Sequence, residues 1–350
     1  MEGERMGVFE NISIPGHEMV SFFQDKTIGL KSIIAVHNST LGPTCGGLRI
    51  WPYESEEAAL KDVLNLSKAM TYKSAMAGLE LGGGKGVILL NKNQSKTEEL
   101  IKSYGRFVDT LGGKYITTTD VGSDVNDLQW ISEETKHVVG LPVNQGGSGD
   151  TSIMTGLGVY LGMKACANHI WGTDSLSGKT VAFQGFGKVA KQAAIHLVKE
   201  GVNIIATDID DFKLKQASEL GAQIVGVSEI YDAKSDIFSP CALGGTINSN
   251  TIPRLSAQII AGGANNQLES DEMCALLSEA GIIYAPDYVI NAGGIINASC
   301  EIGAEYSELK SREKTERIFD ITSNILKISD DQKISTVEAC NKIVLEKLSN

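Results

Sequence analysis

Two lysines of this 350-residue chain stand where a merely solvated amine is a poor fit. Lys73 closes a helical pattern in Met70-Thr71-Tyr72-Lys73-Ser74-Ala75. Lys85 lies in Leu79-Glu80-Leu81-Gly82-Gly83-Gly84-Lys85-Gly86-Val87, enclosed by glycines and followed by an apolar run. Two ammonium groups in one partly buried site depress each other's pKa, and desolvation acts in the same direction. A lysine treated in this way becomes a base near neutral pH. An exposed loop lysine is the plain alternative at either position.

A second cluster of chemistry is built from backbone. Val181-Ala182-Phe183-Gln184-Gly185-Phe186-Gly187-Lys188-Val189-Ala190 reads as a strand entering GxGxxA and then a helix. Gly185 permits the tight turn, Gly187 lets a pyrophosphate approach the backbone, and Ala190 keeps helix and sheet close. The helix N-terminus at Lys188 and Val189 offers unpaired N–H groups to phosphates. The next strand ends at Asp208, 21 residues after Gly187, near the roughly 20 expected of an acid on the ribose 2′-hydroxyl. No Arg follows closely, and Asp208, Asp210 and Asp211 make the surroundings acidic. The expectation is NAD rather than NADP. A plain βαβ turn with a surface aspartate is the alternative.

The elements that must carry these residues fall into two parts. Before residue 145 the pattern is mixed α/β. Strand-like runs occupy 32–37, 87–90 and 115–119, with amphipathic helices at 56–70 and around Leu100, Tyr104, Phe107, Val108 and Leu111. The glycine-rich stretch before residue 56 reads as a turn. Residues 146–150, Gly-Gly-Ser-Gly-Asp, read as a linker. Beyond it apolar runs at 180–183, 204–207, 223–225, 236–238, 258–261 and 282–285 alternate with helical stretches such as 188–200 and 211–220. Such alternation indicates a parallel sheet covered on both faces. The expected fold is α/β in two domains, 1–145 and 146–332, with a helix at 333–350 packing back on the first.

Composition limits the classes of partner. The 31 basic and 43 acidic residues leave a net charge of −12, which disfavours nucleic acid and anionic membrane surfaces. No run of apolar residues is long enough to span a membrane, and residues 1–10 lack the apolar core of a secretory signal. The six cysteines are scattered without a CxxC pair or metal-ligand spacing. A cytoplasmic protein without a metal site is expected. Glycine, at 38 residues, is the compositional outlier.

Residues 79–91 resemble the glycine-cradled lysine signature of the Glu/Leu/Phe/Val dehydrogenases, and within them the leucine and phenylalanine dehydrogenase branch. Thr40-Leu41-Gly42-Pro43 with Gly46-Gly47-Leu48-Arg49 is similar to the family's substrate-side segment, and Thr119-Asp120-Val121-Gly122 to its catalytic Asp turn. Residues 239–245, 261–268 and 285–294 resemble its cofactor-domain segments. One departure is Lys92, where the family usually has Pro or Leu.

The resemblance implies a substrate domain and a Rossmann-type NAD domain separated by a cleft, in a homo-oligomer. It also implies reversible oxidative deamination of an L-amino acid to a 2-oxo acid and ammonium. Lys73 would hold the substrate carboxylate, Lys85 would be the general base, and Asp120 would handle the amino and imino protons. Thr155, Cys241, Ala242 and Asn291 would serve the cofactor, and Asn266 the substrate. The side-chain pocket would be lined by Leu41, Gly42, Thr118, Ile295 and Ala298, all uncharged. A glutamate side chain would be buried there without a cationic partner.

Branched aliphatic substrates are favoured, with an aromatic amino acid such as phenylalanine as the alternative. A silent NAD-binding paralogue has no need of paired lysines. A 2-hydroxy-acid dehydrogenase would need a His–acid pair, yet His137, His169 and His196 lie in no glycine-rich motif.

Overall fold

The computed structural model describes residues 16–91 and 94–349. Lys92, residues 1–10 and Asn350 lie outside the described residues. The chain forms two compact units, 1–75 with 79–145, and 76–78 with 146–350.

In the first unit five strands form a mixed sheet in the order β1-β2-β4-β3-β5: β1 (Met19–Asp25), β2 (Leu30–Asn38), β3 (Thr44–Trp51), β4 (Gly82–Leu89) and β5 (Tyr115–Thr119). β4 runs antiparallel to β2 and parallel to β3, and β3 is parallel to β5. Helix α1 (Glu56–Met76) covers one face, packing Ala59, Val63 and Leu64 on Ile33, Ala35 and Val87. Helices α2 (Glu98–Thr110) and α3 (Val125–Ser132) cover the other, where Leu100, Tyr104 and Leu128 meet Leu48, Ile88 and Tyr115. Thr97 caps α2, and Asp124 with Asp127 forms a capping box on α3.

The glycine-rich stretch before α1 lies in strand β3 rather than a turn, and the glycines ahead of Val87 extend β4 back to Gly82. A side chain at Gly83 would place its Cβ 2.1 Å from the Thr71 backbone nitrogen of α1. One at Gly86 would stand 2.0 Å from the Tyr104 hydroxyl. Glycine is intrinsically poor in strands. Here the close approach of a helix on one face and a buried tyrosine on the other requires it.

In the second unit six parallel strands take the order β11-β10-β9-β6-β7-β8. They are β6 (Thr180–Gln184), β7 (Asn203–Thr207), β8 (Gln223–Ile224), β9 (Ile237–Pro240), β10 (Ile259–Ile260) and β11 (Ile283–Tyr284). Numbered within the unit this is 6-5-4-1-2-3, the doubly wound dinucleotide order, with its switch point between β6 and β9. The helices are α4 (Ser152–Trp171), α5 (Lys188–Lys199), α6 (Asp211–Glu219), α7 (Met273–Glu279), α8 (Asp287–Ile290), α9 (Gly293–Ser299), α10 (Glu308–Glu316), α11 (Ile318–Gln332) and α12 (Thr336–Leu348).

The last helix differs from expectation. α12 belongs to the second unit, where Val337 enters the core with Ala182, Phe238 and Ile260. Its first residue, Thr336, donates from Oγ1 to the Tyr284 carbonyl at 2.8 Å. A buried polar cap and an apolar face fix it in the second unit. No helix of the described residues is long and apolar enough to cross a membrane.

Candidate active site

Lys85 sits in the middle of β4, opposite Ala35 of β2, on the face covered by α1. Its side chain is 5% exposed, and Nζ lies 3.1 Å from Asp120 Oδ2. Asp120 directly follows β5, and that strand pairs with β3 through Leu48 and Thr119. The Asp120 N–H donates to Ser123 Oγ at 2.9 Å, and that hydroxyl donates to the Leu48 carbonyl at 2.7 Å. The carboxylate is therefore tied to the sheet through its own backbone.

Burial lowers the Lys85 pKa, and the Arg49 guanidinium lowers it further against the opposing pull of Asp120. At Asp120 burial raises the pKa, but Lys85 and Arg49 outweigh it and hold the carboxyl below its ordinary value. A buried amine with a lowered pKa, held against an ionised carboxylate, is equipped for proton transfer.

Arg49 is a functional candidate that sequence reasoning passed over. It contacts Asp120 Oδ2 through Nε at 2.9 Å and Asp62 Oδ2 through Nη1 at 3.0 Å. This arginine on β3 is a cation that lowers the Lys85 pKa. A charged residue inside the otherwise apolar run Leu48-Arg49-Ile50 was the available signal. Its acidic partners are far away in sequence.

Lys73 is half-buried in the last turn of α1, the helix whose Thr71 packs on Gly83 of β4. Thr118 is half-buried near the end of β5, opposite Gly47, with its Oγ1 beside Gly140. Leu41 and Gly42 lie in the turn before β3. Gly42 has φ +140°, and a Cβ there would stand 2.3 Å from the Glu80 carbonyl oxygen.

In the second unit Gly185 has φ +93°, and a Cβ there would lie 2.6 Å from that of Ala242, across the switch point. Gly187, by contrast, faces open space within 4 Å. It is the N-cap of α5, with no side chain capping the first turn. Lys188 and Val189 open that helix, while Val189 packs on Gly263 and Ala190 is buried.

Asp208 Oδ2 accepts from the Phe186 N–H at 2.8 Å. Burial raises its pKa, but this bond, a second from Asp210 and the charge of Lys213 leave it below its ordinary value. Lys213 Nζ lies 3.6 Å from Asp208 Oδ1, a cation the sequence reading did not weigh. Buried Gln184 Oε1 and Thr207 Oγ1, at the ends of β6 and β7, have no hydrogen-bond partner among the described residues. Open helix N–H groups, a bare Gly187 and orphaned polar atoms at the strand ends fit a bound dinucleotide.

Thr155 donates from Oγ1 to the Thr151 carbonyl at 2.8 Å and stands beside Gly294. Asn291 Nδ2 donates to Asn265 Oδ1 at 2.9 Å, while its buried Oδ1 has no partner among the described residues. Asn266 is exposed with φ +53°, and its carbonyl accepts from the Gly245 N–H at 2.8 Å. Ile295 and Ala298 are buried in α9. The Cys241 thiol is turned inward, taking a hydrogen bond from the Gly263 N–H at 3.3 Å, so what it offers a ligand is backbone. His137, His169 and His196 are half-buried; His169 meets Asp330 at 3.2 Å, and the His196 ring stacks on Tyr160.

Residues 17–137 match the family described as Glu/Leu/Phe/Val dehydrogenase, dimerisation domain. Residues 146–211 and 206–350 match the Glutamate/Leucine/Phenylalanine/Valine dehydrogenase family. The chain is 46% identical over 344 residues to the leucine dehydrogenase of Bacillus cereus, covering 98% of this chain and 94% of that one. It is 44% identical over 348 residues to the phenylalanine dehydrogenase of Caldalkalibacillus thermarum, covering 97% and 93%. Among solved structures, L-tryptophan dehydrogenase from Nostoc punctiforme superposes with a TM-score of 0.85 at 44% identity, covering 98% and 99%.

Proposed function

The chain belongs to the Glu/Leu/Phe/Val dehydrogenases, and from that premise we propose that it oxidises a branched aliphatic L-amino acid with NAD. In the balanced reaction, L-amino acid, water and NAD⁺ give 2-oxo acid, ammonium, NADH and a proton. The observation carrying this reading is Lys85, 5% exposed and 3.1 Å from the Asp120 carboxylate.

Lys73 binds the substrate carboxylate as a point charge. Asp120, kept ionised by Lys85 and Arg49, holds the substrate amino group and takes up one proton from it as the imine forms. Lys85 then removes a proton from the water that attacks the imino carbon, a role its lowered pKa suits. Lys85 hands that proton to the carbinolamine nitrogen and takes the hydroxyl proton as the C–N bond breaks, which leaves the 2-oxo acid and ammonia, while the proton held by Asp120 passes to solvent.

When bound, the nicotinamide supplies the acceptor for the hydride leaving Cα. Gly185, Gly187 and the first turn of α5 would hold the pyrophosphate, and Asp208 the adenosine ribose. Thr155 and Asn291 would hold the carboxamide side, with Cys241 and Ala242 contributing backbone. Asn266 would contact the substrate. The Asp208 carboxylate repels a 2′-phosphate, which favours NAD.

Leu41, Gly42, Thr118, Ile295 and Ala298 would line the side-chain pocket. None is charged, so a carboxylate side chain would be buried unpaired there. Thr118 narrows the space, which favours a branched chain over an aromatic ring. A homo-oligomer assembled through the first unit is also expected.

The test is NADH consumption with 4-methyl-2-oxopentanoate and ammonium, beside phenylpyruvate, indolepyruvate and 2-oxoglutarate. Ammonium-dependent turnover, fastest with the branched substrate, is expected. Turnover without ammonium refutes the deamination chemistry. Preference for an aromatic 2-oxo acid refutes the substrate assignment.

A further inference from the structure

We propose that Tyr53, Asp62 and Arg49 form a positioning chain that clamps Oδ2 of Asp120 and so presents its Oδ1 to the substrate amino group. The proposal rests on the deamination reading and names residues that reading does not use. The Tyr53 hydroxyl donates to Asp62 Oδ2. Arg49 Nη1 reaches both Asp62 oxygens, at 3.2 and 3.0 Å. Its Nε turns the other way and donates to Asp120 Oδ2 at 2.9 Å.

Lys85 Nζ meets the same oxygen at 3.1 Å. Two cations thus converge on Oδ2, and Oδ1 is the oxygen that takes no bond from a described residue. The guanidinium fork makes this division possible, because Nη1 and Nε project from one rigid plane toward two different carboxylates. A lysine at position 49 would supply charge without the two-directional grip. The cluster is partly buried, with side-chain exposures of 23% for Arg49, 28% for Asp62 and 19% for Asp120, so its charges are incompletely screened.

Arg49 also acts on Lys85. The charged groups acting on Lys85 are Asp120 after β5, Arg49 on β3 and Asp62 on α1; the same elements also carry Lys31 and His37 on β2, Cys45 on β3, and Glu56, Glu57, Lys61, Lys68, Tyr72 and Lys73 on α1. Removing the Arg49 charge withdraws a repulsion from the Lys85 ammonium and leaves Asp120 to it alone. Both changes favour the protonated amine.

The test uses the full chain with Arg49→Gln, Arg49→Lys, Asp62→Asn and the Arg49→Gln/Asp62→Asn double variant. Competitive acetylation across pH, read by peptide mass spectrometry, reports the Lys85 titration without requiring turnover. In Arg49→Gln the labelling midpoint and the acidic limb of kcat/KM for oxidative deamination should both rise by about one pH unit. In Arg49→Lys the midpoint should stay in place while kcat falls about tenfold. The double variant should lose no more kcat than Arg49→Gln alone, because both substitutions break one chain.

An unmoved midpoint in Arg49→Gln, or additive losses in the double variant, overturns the proposal. Failure of the deamination reading shows separately, as a wild-type chain that labels normally yet turns over no amino acid.

Discussion

Acidification should weaken the first unit through one buried imidazole. His37 on β2 is 6% exposed, and its Nδ1 lies 2.8 Å from Thr71 Oγ1. Its ring meets that of His17 edge-on, with centroids 4.8 Å apart. Burial, then the charges of His17 and Lys68, lower its pKa from 6.5 to about 4, against an opposing pull from Glu18.

The folded chain thus binds fewer protons than the unfolded one between these two values. Stability is complete above the unfolded pKa and falls as pH decreases toward the folded one. The full span of 2.5 pKa units corresponds to about 3 kcal/mol, of which about 2 kcal/mol is lost by pH 5. His37→Gln removes this titration while keeping a polar group near Thr71. Urea unfolding, followed by the fluorescence of Trp51 and Trp130 in a Trp171→Phe background, compares the two chains. The stability advantage of the His37 chain should shrink by about 2 kcal/mol between pH 7.5 and 5. An advantage that stays constant over that range refutes the reasoning.

Two further outcomes follow from the packing and the nucleotide loop. Gly86→Ala forces a Cβ against the buried Tyr104 hydroxyl and should cost about 1–3 kcal/mol in urea unfolding of the first unit. Tyr104→Phe in the same chain should recover part of that loss, and a neutral Gly86→Ala contradicts the close-approach account. Asp208→Ala removes the carboxylate proposed to face the adenosine ribose while leaving Lys213 nearby. Its kcat/KM for NADP should rise about tenfold or more relative to NAD, and an unchanged ratio removes Asp208 from cofactor selection.

The two halves of the chain were unequally legible in the sequence. The βαβ pattern, Gly185, Gly187 and Asp208 could be placed because a phosphate-binding turn imposes its requirements locally, within about 20 residues. The glycines before and after Lys85 obey a different constraint. Gly83 meets Thr71 of α1, and Gly86 meets Tyr104 of α2, so the need for glycine arises from helices folded onto both faces of β4. Local propensity alone starts this strand at Val87, whereas it begins at Gly82. The strand β1 was missed because its half-buried pattern carries little apolar contrast.

Arg49 was hidden for a related reason. Its value comes from Asp62 and Asp120, 13 and 71 residues away, and no spacing rule links a strand arginine to both. Lys85 and Asp120 were recognisable through the family's motifs, but the depth of Lys85 and the cation beside it are properties of the folded sheet. The end of the chain misled expectation because an amphipathic pattern names a buried face without naming what buries it. For α12 that is the core around Tyr284 and Phe238.

The central claim is that Lys85 is the proton acceptor of an amino-acid deamination. Lys85→Ala tests it most directly when two quantities are read on the same preparation, NADH binding by fluorescence and ammonium-dependent turnover from pH 7 to 11. NADH affinity should match that of the unaltered chain, while turnover should fall by about a hundredfold or more at every pH. Retained NADH binding together with activity close to that of the unaltered chain anywhere in this range would contradict the account.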